Sequence, residues 1–338
     1  MKYKNEIITV IIVFFVIVGA LSLFLADSID AEKKGVEAQT IDARRFPGVE
    51  IERIPWTHDP HQHLLHPTQV EVHANRIYVL DYAAMTLKAF TLEGRLVAEI
   101  GKGRGRAPGE LTSVMDFFVR DGRVWVLDGK ERRVSIFRTE GTYVRRFLIE
   151  TDASPFRIAP ANEYLVVGQL GVAQPELFLK VDTTGQVLNR FGNLKERFDV
   201  KNPLVLTGSL LSLGNHIVFG ATYASYLHYF DERGNLLRTV RTIDELEYEG
   251  PSSTNQDGGQ RFRSPASPVQ YRKFSNYNDT LRINTFSKKS RLSLMDYYTD
   301  GGSYVKSVKL PHHVAVACSY GEYVITRRDT TITKYRLK

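Results

Sequence analysis

The residues with most chemical potential sit together in THDPHQHLLHP, residues 57–67, which holds His58, His61, His63 and His66. Imidazole is a common ligand for zinc and other transition metals. The spacing matches no defined zinc motif, and the segment reads as loop. Two further histidines, His312 and His313, stand near the C-terminus. One expectation is therefore a single divalent metal ion held by some of His61, His63, His66, His312 and His313. With Asp116 and His66 in catalytic roles, that site would serve a metal-assisted lyase or hydrolase. The opposing expectation, which the lack of a motif favours, is solvated loop histidines and no cofactor.

A second candidate is GKGRGRAPGEL, residues 101–111. A Walker-type phosphate loop ends in Gly-Lys-Ser/Thr, and that ending is absent. A dinucleotide fingerprint opens a helix, and no helical pattern follows here. The glycines are expected to allow positive φ in a crossing between structural units. Lys102, Arg104 and Arg106 would then decorate a ligand-binding rim that attracts anions. The single cysteine, Cys318, lies in the apolar run VAVACSYG with no base nearby, and reads as a buried small hydrophobe. No Gly-x-Ser-x-Gly elbow and no His-Glu-x-x-His occurs.

Whether any of these groups meet depends on the elements that carry them, and those elements repeat. RIYVLDYAAMTLKAFTLEGRL from Arg76 matches RVWVLDGKERRVSIFRTEGTY from Arg123, with Asp81/Asp128, Phe90/Phe137 and Gly94/Gly141 all 47 residues apart. Weaker copies start at Glu163, His216, Leu281 and Glu322. Each unit reads as short strands of alternating or continuous apolar residues joined by Gly turns, at Glu93-Gly94, Glu140-Gly141, Thr184-Gly185, Arg233-Gly234 and Asp300-Gly301. Four antiparallel strands recurring every 40 to 50 residues describe a propeller blade.

Six blades are expected, with inner strands beginning near Thr68, Asp116, Phe156, Leu204, Val269 and Val314. The last unit ends after three strands, so VEIERIPW, residues 49–56, is expected to supply the fourth and remove an open edge. Residues 244–268 break the period and read as a long polar loop between blades four and five. Asp81 and Asp128 recur at one repeat position, which favours turn capping over catalysis. In a closed ring, blades six and one are neighbours. His66 and His312-His313 would then lie near one face of the channel.

The units resemble NHL repeats, and more closely the six-bladed propellers of secreted or membrane-anchored bacterial proteins. RVWVLD and FRTEG carry the resemblance, with GKGRGRAPGEL resembling the junction between blades. It extends over roughly residues 49–338 and is best in the first two blades. It implies an all-β, six-bladed β-propeller. Lactonases and lyases of this shape place carboxylates and histidines around the channel, but no motif that marks them is present.

The ends and the charge bound the rest. Ile7 to Ala26 form a run of twenty residues without a charge, long enough as a helix to cross about 30 Å of hydrocarbon. Lys2 and Lys4 precede it, and Asp27, Asp30 and Glu32 follow it. That asymmetry predicts one N-terminal transmembrane helix over residues 1–26, with a cytoplasmic N-terminus. Cleavage after a signal peptide would instead secrete the protein. Residues 27–48 then read as a polar tether and 49–338 as the propeller, outside the cytoplasm. The net charge of +7 is scattered in pairs such as Arg132-Arg133 and Lys288-Lys289. With no nucleic-acid motif, nucleic acid is not an expected partner. The favoured function is a membrane-anchored binding or scaffold module for a protein, peptide or glycan.

Overall fold

The second strands of the repeats are apolar at consecutive positions, as in RIYVLD and RVWVLD. Such a strand needs cover on both faces. The computed structural model describes residues 35–41, 43–170, 175–244, 246–248, 252–254, 260–262, 269–288, 291–311 and 314–338, and provides that cover. In the strand Arg76–Asp81, Ile77 and Val79 pack with Ile325 and Ile332 of the last repeat. Tyr78 and Leu80 point the other way, to Val124 and Val126 of the next repeat.

Blades one, two, three and five are four-stranded antiparallel sheets with their strands in chain order, and blades four and six each take in a strand from before the first repeat. Blade one comprises Pro67–His73, Arg76–Asp81, Thr86–Thr91 and Leu96–Ile100. Blade two runs from Val114–Arg120 to Tyr143–Leu148, and blade three from Ser154–Ala161 to Val187–Phe191. Blade four runs from Gly208–Leu213 to Leu236–Arg241, and blade five from Val269–Tyr277 to Tyr304–Lys309. Blade six has Val316–Tyr320, Tyr323–Arg328 and Thr331–Leu337, and its outer strand is Ile51–Ile54, with Ile51 opposite Leu337.

The apolar core is a ring of wedges rather than one centre. Six clusters of buried side chains occur among the described residues, one at each junction between neighbouring blades, six to one included. The innermost strands are thereby left around an open axis.

Glycine at the turn between third and outer strands meets two demands at once. Gly141 has φ of 99° and Gly185 has φ of 105°, a region that favours glycine. A Cβ at either would also collide with the carbonyl oxygen of Glu99 or Leu148, on the outer strand of the preceding blade. In blade five the positive φ falls on Gly302, one residue beyond the expected turn glycine, Gly301.

Three other expectations meet the structure differently. The inner strand of blade four begins at Gly208, not near Leu204. Residues Pro203–Leu206 form a 3-10 turn, started by the Asn202 side chain accepting from Leu204 N at 3.0 Å and by Pro203 at its first position. The stretch 244–268 carries a two-stranded ribbon, Ser252–Thr254 with Gln260–Phe262. Of the stretch 27–48, the described part lies along blades four and five. Val36–Glu37 adds to blade four as a parallel fifth strand, Gln39 bonds to Gly302 O, and Arg45 O accepts from Ser307 N. Among the described residues no helix is long and apolar enough to cross a membrane, and the predicted span at 7–26 lies outside them.

Candidate functional site: the central channel

The inner strands set the geometry of the channel. Bulges in blades one, two, three and five bring Gln69, Asp116, Arg157 and Lys273 to one level, opposite Leu80, Leu127, Gly168 and Asn284. Ser209 and Val316 take that level in blades four and six. Strand side chains alternate, so two residues further on Glu71, Phe118, Ala159, Leu211, Ser275 and Cys318 form the next level. All twelve line one cavity of about 400 Å³.

The centre of this cavity is ionic. Lys273 of blade five reaches past blade six to the carboxylate of Glu71 in blade one. The Cys318 thiol donates to the other oxygen of Glu71 at 3.9 Å. Asp116 is 7% exposed and accepts from Ile158 N at 3.1 Å, tying blade two to blade three. Burial works against the Lys273 ammonium, but Glu71, Asp116 and Cys318 outweigh it and hold the group above the usual lysine range. Burial also pushes the Glu71 carboxyl up, and Lys273 offsets part of that. Direct contact between ammonium and carboxylate, with a thiol donor on the second oxygen, favours the charged pair.

Cys318 is buried in the channel wall, with its thiol pushed up to about 12 by burial and by Glu71. Only the thiolate is nucleophilic. At pH 8 the folded protein should therefore react with iodoacetamide roughly a thousandfold more slowly than in urea. Mass-spectrometric labelling rates check this, and comparable rates would contradict the burial.

The predicted site residues fall in several places. Asp116 lines the channel; His66 is not among the lining residues, and its ring sits edge-on to Tyr82 at 6.5 Å. Both His61 ring nitrogens are engaged: Nδ1 bonds to Asp59 at 2.6 Å and Nε2 accepts from Ile332 N at 3.1 Å. His63 packs against Phe90, and its carbonyl accepts from Lys88. His312 and His313 lie outside the described residues. Among the described residues no three His, Cys, Asp or Glu side chains gather in a metal-binding group. The histidine that does line the cavity is His73, at the end of the first inner strand.

GKGRGRAPGEL forms the crossing from blade one to blade two. Gly101, Gly103 and Gly109 have φ between 89° and 98°, as the sequence predicts. Lys102 N donates to Gly109 O, and Leu111 N to Gly103 O, closing the loop on itself. The Lys102, Arg104 and Arg106 side chains are exposed. Arg104 donates to Thr112 O and lies over Tyr82, while Arg106 pairs with Glu131 at 3.0 Å.

The recurring aspartates clamp these crossings. Asp81 accepts from Leu65 N at 2.8 Å and His66 N at 2.9 Å, and pairs with Lys88 at 3.2 Å. Asp128 accepts from Thr112 N at 2.7 Å and Ser113 N at 3.1 Å, and pairs with Arg133 at 3.2 Å. Burial alone would raise the Asp81 carboxyl, but the two N–H groups, Lys88 and Ala84 N hold it below the usual range. This is the capping role that recurrence favours.

Solved structures with the same architecture include a predicted exported protein from Bacteroides fragilis, at TM-score 0.61 and 12% identity, covering 90% of this chain and 99% of that one. A member of the DUF4221 family from Bacteroides vulgatus aligns at TM-score 0.60 and 11% identity, over 86% and 98% of the two chains. Virginiamycin B lyase from Staphylococcus aureus aligns at TM-score 0.52 and 12% identity, over 86% and 100%. At these identities the likeness is one of fold. No curated protein matches in sequence. The model of the 6-bladed beta-propeller family DUF5128 matches residues 57–258, more than half of the chain, and with the six sheets around one channel it settles the classification: the chain belongs to that family.

Proposed function

We propose that this chain is an extracytoplasmic binding module whose ligand, a protein, peptide or glycan, docks in the mouth of the propeller channel. The observation that carries the reading is the cavity of about 400 Å³ to which all six inner strands contribute polar side chains. Concave, partly preformed sites with a few placed polar groups are what ligand binding requires. The apolar run 7–26 anchors the module in the cytoplasmic membrane, with the propeller outside; cleavage of that run would release it. An exported structural relative supports the same side of the membrane. In this reading the units are NHL-like, Ile51–Ile54 closes the ring, and Lys102, Arg104 and Arg106 form an outer rim that ligands meet first.

A blocking variant tests this. Ser209 is small and lines the cavity between the inner strands of blades three and five. Ser209→Trp should retain cooperative unfolding while losing capture on a glycan array and a peptide library by more than tenfold relative to wild type. Equal capture by both proteins contradicts a channel site. Elemental analysis of the purified, untagged protein separates this reading from a metal-assisted lyase or hydrolase using Asp116, His66 and His312. About one divalent ion per chain would favour the metal-assisted reading, and none would favour the binding module.

A further inference from the structure

We propose that the channel recognises its ligand through an oxyanion, carboxylate or phosphate, held between Arg157 of blade three and Arg272 of blade five. The inference rests on the channel being the binding site and adds the chemistry of what it binds. Both arginines line the cavity, Arg157 on the inner strand of blade three and Arg272 at the bulge in the inner strand of blade five, with the small Ser209 on the inner strand of blade four. The cavity wall holds three cations, Arg157, Arg272 and Lys273, against two carboxylates, Glu71 and Asp116. Those carboxylates are taken. Glu71 faces Lys273 and Cys318, and Asp116 accepts from Ile158 N.

Among the described residues neither arginine has an ion-pair partner. Arg157 donates Nη1 to Phe156 O at 2.7 Å. Arg272 donates Nη1 to Val314 O at 2.8 Å and Nη2 to Gln270 Oε1 at 3.4 Å. A guanidinium has five N–H donors in a fixed fork, so most remain available. Both groups are stacked, Arg157 over Phe156 at 5.5 Å and Arg272 over Phe286 at 4.3 Å. Stacking holds the forks in place and reduces what ordering costs on binding.

A half-buried cation without a counter-charge is unfavourable. Burial, and then Arg327, hold the Arg272 guanidinium below its ordinary range. Among the described residues Ser319 Oγ, in the lining of the same cavity, is buried without a hydrogen-bond partner. An oxyanion supplies the missing counter-charge. The forked geometry suits two-oxygen groups in particular.

The test uses the purified full chain with three probes: D-glucuronate, inorganic phosphate and neutral D-glucose. Thermal unfolding and calorimetric titration are followed at low and high salt. Glucuronate, phosphate or both should raise the unfolding temperature and bind more weakly as salt rises, while glucose does neither. Response to one anion alone names the source of the oxyanion. Arg157→Gln and Arg272→Gln should each weaken binding about tenfold or more, with Arg157→Lys and Arg272→Lys in between. Arg328→Gln, at an exposed position, should bind as wild type. No response to either anion, an equal response to glucose, or glutamine variants that bind as wild type would each overturn the proposal. If Arg272→Gln does not fold, Arg157→Gln and the lysine variants decide. The channel reading itself is judged separately. If Ser209→Trp abolishes array capture and the glutamine variants do not, the channel stands and the oxyanion falls. If neither changes capture, both fall.

Discussion

Replacing Arg44 by alanine should destabilise the propeller by about 3–5 kcal/mol, the range for breaking a buried ion pair from one side. Arg44 comes from the segment before the first blade and enters the junction of blades four and five. Its Nη1 and Nη2 donate to Asp244, at the start of the insertion, and its Nε and Nη2 to Asp296 at 3.2 and 3.0 Å. Asp296 is fully buried and also accepts from Thr285 Oγ1 at 2.7 Å and Ser307 Oγ at 2.5 Å. Burial alone would lower the Arg44 pKa, but Asp244 and Asp296 together hold it far above the usual range. Without the guanidinium, two carboxylates remain in a low-dielectric junction with no counter-charge. Urea unfolding should register the loss, and Asp296→Asn in the Arg44→Ala background should restore part of it. A loss under about 1 kcal/mol, the scale of a surface pair, would mean that this junction is solvated. The residue is outside every repeat, so the stretch before the propeller is part of the fold's stability.

The second large effect is acid sensitivity set by His228. This ring is fully buried in blade four, with Nδ1 bonded to Thr239 Oγ1 at 2.9 Å and Nε2 to Tyr248 OH at 2.8 Å. Burial, helped by Arg197, lowers its pKa to about 3. In the unfolded chain it titrates near 6.5. A base whose folded pKa is depressed contributes stability that is complete above the unfolded value. That stability is lost as pH falls from about 6.5 toward about 3, because only the unfolded chain takes the proton. The slope is about 1.4 kcal/mol per pH unit, so about 2 kcal/mol should be gone by pH 5. Urea unfolding at pH 7, 6 and 5 measures it. His228→Gln should start less stable and lose much of the slope. A wild type of equal stability at pH 7 and 5 would contradict neutral burial of this ring.

The fold was legible because propeller strands are short and repeat. RIYVLD and RVWVLD advertise two-sided burial, and the clamps at Asp81 and Asp128 recur with the strands they cap. The channel was harder to read for a physical reason. Its wall is built from a few residues on each of six separate strands, so no segment holds more than two of its charged groups. Glu71 in VEVH and Arg272-Lys273 in YRKF are the signal that was available: charged residues inside otherwise strand-like inner segments. Cys318 looked like core, and it is buried, but its neighbours are Glu71 and Lys273. The dense histidine run shows the converse. Closeness in sequence placed His61 and His63 on a crossing loop, where Asp59, Ile332 and Phe90 occupy them. Blade four began late because Asn202 and Pro203 make a local turn that strand periodicity does not register.

The most direct test of the central claim is photo-crosslinking in cells with a benzophenone amino acid. Placed at Leu211, it sits in the channel wall; placed at Leu188, which is 52% exposed on the outer strand of blade three, it reports the periphery. The account predicts a specific adduct from Leu211 that disappears with Arg157→Gln, and none from Leu188. An adduct from Leu188 alone would move the binding surface to the outer edge and contradict a channel-centred function.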